Sequence, residues 1–184
     1  MSAKIERLEM GTLAPALQQA LAVRVKRLGY LGEFFRCSGH QPDALLPFMA
    51  MTDALKEALP DRLTEVGALT VSALMGNAYE RNQHERLSEK LEFGRDWIAA
   101  VIAVAPDRDG PLSSEERAVQ RLVIAVVERR GHGVEAELDA VVDAIGAAPA
   151  MAMLFLIGRY VTQAFIVNAL ALAPPVPSIF VETP

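Results

Sequence analysis

Residues 62–75 place apolar side chains on nearly every side of a helical wheel before Gly76 breaks the run. Such a helix cannot lie on a surface; it demands burial all round, so other helices must pack against it. The segment that follows is its opposite. Residues 77–93 read as a polar helix closed by Gly94 in the position after its C-cap, and they carry Asn77, Tyr79, Glu80, Arg81 and His84 within two turns. Residues four apart share a helix face, so Glu80 and His84 are neighbours, with Asn77 one turn before and Arg81 beside them. A carboxylate next to an imidazole raises the imidazole pKa and orients its ring, the minimum equipment for proton transfer near neutral pH. The same spacing also describes an exposed pair on a solvated helix, which contributes about 0.3 kcal/mol.

The remaining apolar residues recur at three- and four-residue spacing, with few alternating β-branched runs, which predicts an all-α protein. Helices are expected over residues 15–28, 30–37 and 42–59, the third opened by Pro42 and Asp43 and interrupted by Pro60. A shorter apolar helix is expected over residues 97–104, followed by the loop 105–111 as the boundary between two halves of the fold. Ser113 and Glu116 form a capping box for a helix reaching about Arg130. Gly131 and Gly133 flank His132 in a turn; helices over 134–145 and 149–172 follow, the last with Pro149 at its start. The tail, residues 174–184, has four prolines and is expected to be extended, either loose or packed across a neighbouring subunit.

With 184 residues, one domain spanning 1–184 is the expectation, with its core motif at about residues 61–94. Hydrophobic residues make up 52% of the chain, more than a monomer of this size needs, so other subunits are expected to cover the surplus. The long apolar stretch 150–173 has the length of a membrane span but carries Arg159, Gln163 and Asn168 through its middle. An arginine at the centre of a bilayer costs at least ~2.5 kcal/mol, which favours a buried helix at a subunit interface. The first fifteen residues lack an apolar h-region and a small-residue cleavage site, so a cytoplasmic location is expected. A net charge of -5 opposes a nucleic-acid partner, since phosphate binding needs a basic surface. Cys37 is the sole cysteine and follows an apolar Phe-Phe pair, which reads as a buried, inert thiol. The three histidines, His40, His84 and His132, have no metal-ligand spacing, and His40 and His132 sit beside turn residues as surface side chains. No metal is expected.

Residues 63–93, LTEVGALTVSALMGNAYERNQHERLSEKLEF, resemble the carboxymuconolactone decarboxylase-like superfamily, which also contains the alkylhydroperoxidase D proteins. The likeness runs roughly over residues 28–172. In the peroxidase branch a glutamate precedes the first cysteine of a CxxC by twelve residues, and a histidine follows the second by four. Glu65 matches that glutamate and His84 that histidine, while Asn77 and Glu80 occupy the two cysteine positions. Thiol peroxidase chemistry requires a thiolate and a resolving thiol, so the resemblance favours the decarboxylase branch over a peroxidase. It implies an alkylhydroperoxidase D-like helical bundle assembled as a homo-oligomer (dimer, trimer or hexamer). It also implies a cofactor-independent acid-base lyase or isomerase acting on a small carboxylate or lactone. On that reading His84 donates or shuttles the proton, Glu80 orients it or manages the proton, and Glu65, one helix earlier, supports the pair from behind or relays the proton. Asn77, Tyr79 and Arg81 are the candidates for binding substrate oxygens, with Arg36 or Arg159 as alternatives, and a binding protein that keeps the fold without the reaction is the further alternative.

Overall fold

Prolines and glycines punctuate this chain where helices must begin or turn. In the computed structural model, which describes residues 4–181, Pro15 and Pro42 each occupy the first position of a helix, where the missing N–H has no helical partner to lose. After a 3-10 turn at Met10–Thr12 come α1 (Pro15–Leu28), α2 (Glu33–Ser38), α3 (Pro42–Ala58), α4 (Asp61–Leu74) and α5 (Ala78–Lys90). Then follow α6 (Arg95–Ile102), α7 (Ser114–Glu128), α8 (Glu135–Ile145) and α9 (Ala147–Ala169). No strand occurs among the described residues, so the expected all-α class holds.

The fold is organised around α4, on which every residue from Leu63 to Ser72 is buried. It packs against α5, α6, α7 and α9. Helix α9 lies close at Gly67, where a Cβ would stand 3.0 Å from Leu156 Cδ2 and 3.1 Å from Met153 Sδ. A methyl there would require the Leu156 and Met153 side chains to yield by a few tenths of an ångström in a closely packed interior. Leu69, Ile98, Leu122, Met153 and Leu156 fill the core on this side. A second apolar cluster, with Leu17, Leu21, Phe34, Leu45 and Tyr79, joins α1, α2 and α3 to the start of α5.

A buried polar knot closes the loop before α7. The capping box is present: Glu116 N donates to Ser113 Oγ at 3.2 Å, and Ser113 N donates to Glu116 Oε2 at 2.8 Å. The same carboxylate accepts Trp97 Nε1–H at 3.0 Å and Arg62 Nε–H at 2.6 Å, and the Arg62 guanidinium lies over the Phe93 and Trp97 rings. One side chain thus ties α4, α6 and α7 together. Glu116→Ala is expected to cost about 2–3 kcal/mol, because it strands the indole N–H and the cap amide together. A lower urea midpoint with unchanged slope is the signature to measure.

Three details depart from the sequence expectation. Gly94 does not end α5; Glu92 takes the left-handed conformation there (φ 59°), and Gly94 instead opens α6 with φ 89°. Pro149 is not the first residue of the last helix, which begins at Ala147 behind Gly146 (φ 88°). The tail packs across its own α5: Asn82 Nδ2 donates to Val176 O at 2.9 Å, Arg86 Nε to Pro177 O at 3.0 Å, and Ile179 N to Glu85 Oε2 at 3.0 Å. Residues 182–184 lie outside the described part of the chain. That packing helps a helix as polar as α5 to bury Asn82 and Glu85: the tail backbone pairs with the Asn82 amide nitrogen and one Glu85 oxygen, and Arg81 pairs with the other.

Candidate active site

Helix α4 brings Glu65 to face His84 of α5, and α9 closes over both. Gly76 in the left-handed region (φ 62°) and Asn77, whose side chain accepts Glu80 N–H at 3.2 Å, turn the chain sharply between α4 and α5. The 19-residue separation of Glu65 and His84 is thereby folded into direct contact. His84 Nδ1 donates to Glu65 Oε2 at 2.7 Å, and the Ser88 hydroxyl donates to the same oxygen at 3.2 Å. On the other edge of the ring, Nε2 lies 3.0 Å from the Tyr160 hydroxyl and 3.6 Å from Glu80 Oε2. Two carboxylates on opposite sides therefore bracket one imidazole.

Glu80 is itself held from α9. Gln163 Nε2 donates to Glu80 Oε1 at 2.6 Å and Gln83 Nε2 to the same oxygen at 3.3 Å, while Arg159 stands 3.7 Å from Oε2. Arg159 is anchored by a bond from its Nε to Thr52 Oγ1 (3.0 Å) and is sandwiched by the Phe48 and Tyr160 rings. Its NH1 has no hydrogen-bond partner among the described residues. One turn beyond Thr52 on α3, Lys56 is half-buried with no carboxylate within 4 Å among the described residues. Side-chain exposure is 9% for His84, 7% for Glu80 and 9% for Arg159, so the group is sheltered from water yet not sealed.

Shelter and charge act in opposite directions on these groups. Burial alone would pull the His84 pKa down, but the Glu65 carboxylate and then Glu80 outweigh it and raise the pKa to about 9. Burial pushes Glu80 up, yet its contact with His84 and the Arg159 charge leave it below the ordinary carboxylate value. Tyr160 is raised, chiefly by burial, and stays a neutral hydroxyl. Lys56 is lowered by burial, with Glu65 opposing that shift and Arg159 adding to it. The imidazole at neutral pH is thus an imidazolium whose Nε2–H points at Tyr160 and Glu80. If it loses that proton, the Tyr160 hydroxyl can donate back to Nε2.

The sequence-derived residues separate into two groups. Glu65, Glu80 and His84 converge, with Glu65 rather than Glu80 making the short bond to the ring. Asn77, Tyr79 and Arg81 stand outside that cluster. Asn77 is buried as the cap of α5; the Tyr79 hydroxyl accepts Phe34 N–H at 3.3 Å within the second apolar cluster; and Arg81 pairs with Glu85 at 3.3 Å. The alternative Arg36 holds residues 7–9, donating from Nε to Leu8 O (3.2 Å) and pairing with Glu9. Tyr160, Gln163, Thr52 and Lys56 had no local motif to mark them. The available signal was polarity at 159, 160 and 163 on one face of an otherwise apolar helix. Among the described residues no group of three His, Cys, Asp or Glu side chains is arranged to hold a metal ion.

Among the described residues, nine helices with α4 buried at their centre and a polar α5 packed on it form an all-α fold of the alkylhydroperoxidase D type. The chain superposes on an uncharacterized peroxidase-related protein from Ralstonia eutropha JMP134, an alkylhydroperoxidase AhpD core, with a TM-score of 0.78, 19% identity and coverage of 94% of each chain. The apo debrominase Bmp8 gives a TM-score of 0.81 at 17% identity, covering 96% of this chain and 94% of that one. Residues 42–120 match the profile of the Carboxymuconolactone decarboxylase family. No curated protein sequence matches significantly. The profile match covers residues 42–120 alone, and at 17–19% identity the two structures share the fold with this chain.

Proposed function

We propose that this protein is a cofactor-independent acid-base lyase or isomerase acting on a small carboxylate or lactone. The observation that carries the reading is the His84 ring, held between Glu65 and Glu80 and within hydrogen-bond distance of Tyr160, with the incompletely paired Arg159 3.7 Å from Glu80 and Lys56 one turn beyond Thr52 on α3. In this reading Arg159 and Lys56 receive the substrate carboxylate, and Thr52 keeps the guanidinium oriented. For decarboxylation, the bond to the carboxylate carbon breaks, CO2 leaves, and the electron pair passes into the conjugated carbonyl as an enolate. His84 Nε2–H then protonates carbon, directly or through the Tyr160 hydroxyl, and water restores the proton. Isomerisation uses the same group to remove a proton at one carbon and return it at another.

A thiol peroxidase is disfavoured on this chain's own chemistry. Asn77 and Glu80 stand where that mechanism needs sulfur. Cys37 lies in the other apolar cluster, and burial pushes its thiol pKa up, away from the reactive thiolate.

The same reading makes the chain a homo-oligomer. Met151, Phe155 and Phe165 of α9 project from one side of the fold, each more than half exposed, and a second copy of the chain is the partner that would cover them.

A panel of unsaturated lactone acids and small aromatic-pathway carboxylates, assayed without added cofactor for CO2 release or a double-bond shift, tests the proposal. Turnover of at least one member is expected. Arg159→Lys should raise KM about 10-fold or more, since the planar two-pronged donor is lost, with a smaller change in kcat. A panel with no turnover, or an accepted substrate whose KM ignores Arg159→Lys, removes this reading.

A further inference from the structure

Away from the His84 cluster, the residues at the N-terminal end of the described chain roof a cavity of about 710 Å³ against α2, α3 and α9. This volume is in the range of sites that enclose a small organic ligand. The roof is tied down: His40 Nε2 bonds Glu6 O at 3.0 Å, Leu8 N donates to Arg36 O at 3.2 Å, and Arg36 pairs with Glu9. Phe34 and Phe48, with ring centroids 6.0 Å apart and planes at 43°, form an aromatic corner, and Leu45 and Ile166 continue the apolar wall. The cavity's charged lining residues are Lys4 and Glu6, both exposed and of opposite sign, so the lining carries no net charge.

One polar atom in this lining is unexplained. Ser38 Oγ is buried without a hydrogen-bond partner among the described residues. A buried hydroxyl left unmatched carries a desolvation penalty that a ligand group would relieve. Cys37, the chain's single cysteine, lines the same cavity.

We propose that this cavity is a binding site for an uncharged, mainly aromatic small molecule with one hydrogen-bonding group that reaches Ser38. The aromatic corner offers tilted and edge contacts to a planar ring, the exposed Lys4 and Glu6 offset each other so that the lining favours neither sign of charged ligand, and Ser38 supplies the single directional contact. The site shares one wall with the charged cluster, because the Phe48 ring that lines it also carries the Arg159 guanidinium 5.0 Å from its centroid. The inference does not depend on the acid-base reading.

N-Phenyl-1-naphthylamine, an uncharged aromatic amine whose fluorescence rises in apolar surroundings, is a suitable probe. The full chain should bind it saturably at one site per chain, and bound probe should slow alkylation of Cys37 by N-ethylmaleimide, followed by intact mass. Ala44→Trp fills the cavity from an exposed position on α3, and Thr162→Phe does so from an exposed position on α9, so either can serve if the other fails to fold. Each should weaken the probe on the order of 10-fold or more, and Ser38→Ala by roughly 3- to 10-fold, the loss of one hydrogen bond. Absence of saturable binding overturns the proposal. So does binding that survives both filling variants with Cys37 alkylation unslowed, which places the probe elsewhere, such as the exposed apolar face of α9. A change in subunit number in both filling variants, seen by sedimentation, also overturns it by making the cavity a contact between copies.

Discussion

His84→Gln is expected to lower kcat on any accepted substrate by about 10²- to 10⁴-fold, the usual worth of a positioned general acid or base. Glutamine can still donate to Glu65 through its amide, so the shape of the α4–α5 interface survives, but an amide neither takes up nor gives up a proton as an acid or base at accessible pH. Arg159 and Lys56, the proposed carboxylate-binding cations, are untouched, so KM should change far less than kcat. That split separates loss of chemistry from loss of folding. A His84→Gln protein with native helix content and unchanged kcat would show that the imidazole is structural.

Glu65→Leu is expected to be the most damaging change to stability, about 3–5 kcal/mol near neutral pH. Glu65 accepts from both His84 and Ser88, and leucine leaves an imidazole and a hydroxyl buried without their partner. The wild-type protein should show the same coupling as a pH dependence. His84 has its folded pKa raised from 6.5 to about 9, so its contribution is complete below about pH 6.5 and is lost as pH rises through 9. The size of that loss is at most about 3 kcal/mol, from the free-energy equivalent of the shift. Glu80, whose folded pKa is depressed, acts in the other direction: its contribution is present above its ordinary value of 4.5 and is lost as pH falls through its folded pKa. Urea midpoints should therefore fall from pH 6.5 to 9.5 in the wild type, and that fall should shrink in Glu65→Leu, which lacks the carboxylate that contributes most to raising His84. An unchanged slope across that window in the variant would assign the pH dependence to other groups.

The helices were legible because their signals are local. Pro15 and Pro42 start helices wherever the rest of the chain lies, and the Ser113–Glu116 capping box needs only three residues of separation. The all-round apolar character of residues 62–75 likewise dictated a central, buried α4. Even the junction between α5 and α6 was foreseen to within a few residues. Its particular geometry was not, because Glu92 took the left-handed position that Gly94 would adopt at lower cost.

The acid-base trio was only half visible. Helical spacing alone puts Glu80 one turn before His84, but it cannot say whether that face meets water or protein. The decision came from α9, which brings Tyr160 and Gln163 to side chains 76 and 83 residues away in the chain and so turns a possible surface pair into a sheltered one. Tyr79 shows the converse. It lies next to Glu80 in sequence, yet helical rotation carries it to the opposite cluster, where its hydroxyl meets Phe34.

The sequence by itself determined which segments are helical, which helix must be central, and which residues could exchange protons, since backbone propensity, capping and apolar periodicity act over a few residues. Only the tertiary structure decided which carboxylate holds His84, which cations lie beside it, and that the tail covers α5. Those outcomes depend on the packing of α3, α4 and α9 and on the reach of the tail, and contacts between distant segments leave no spacing in the chain from which to read them.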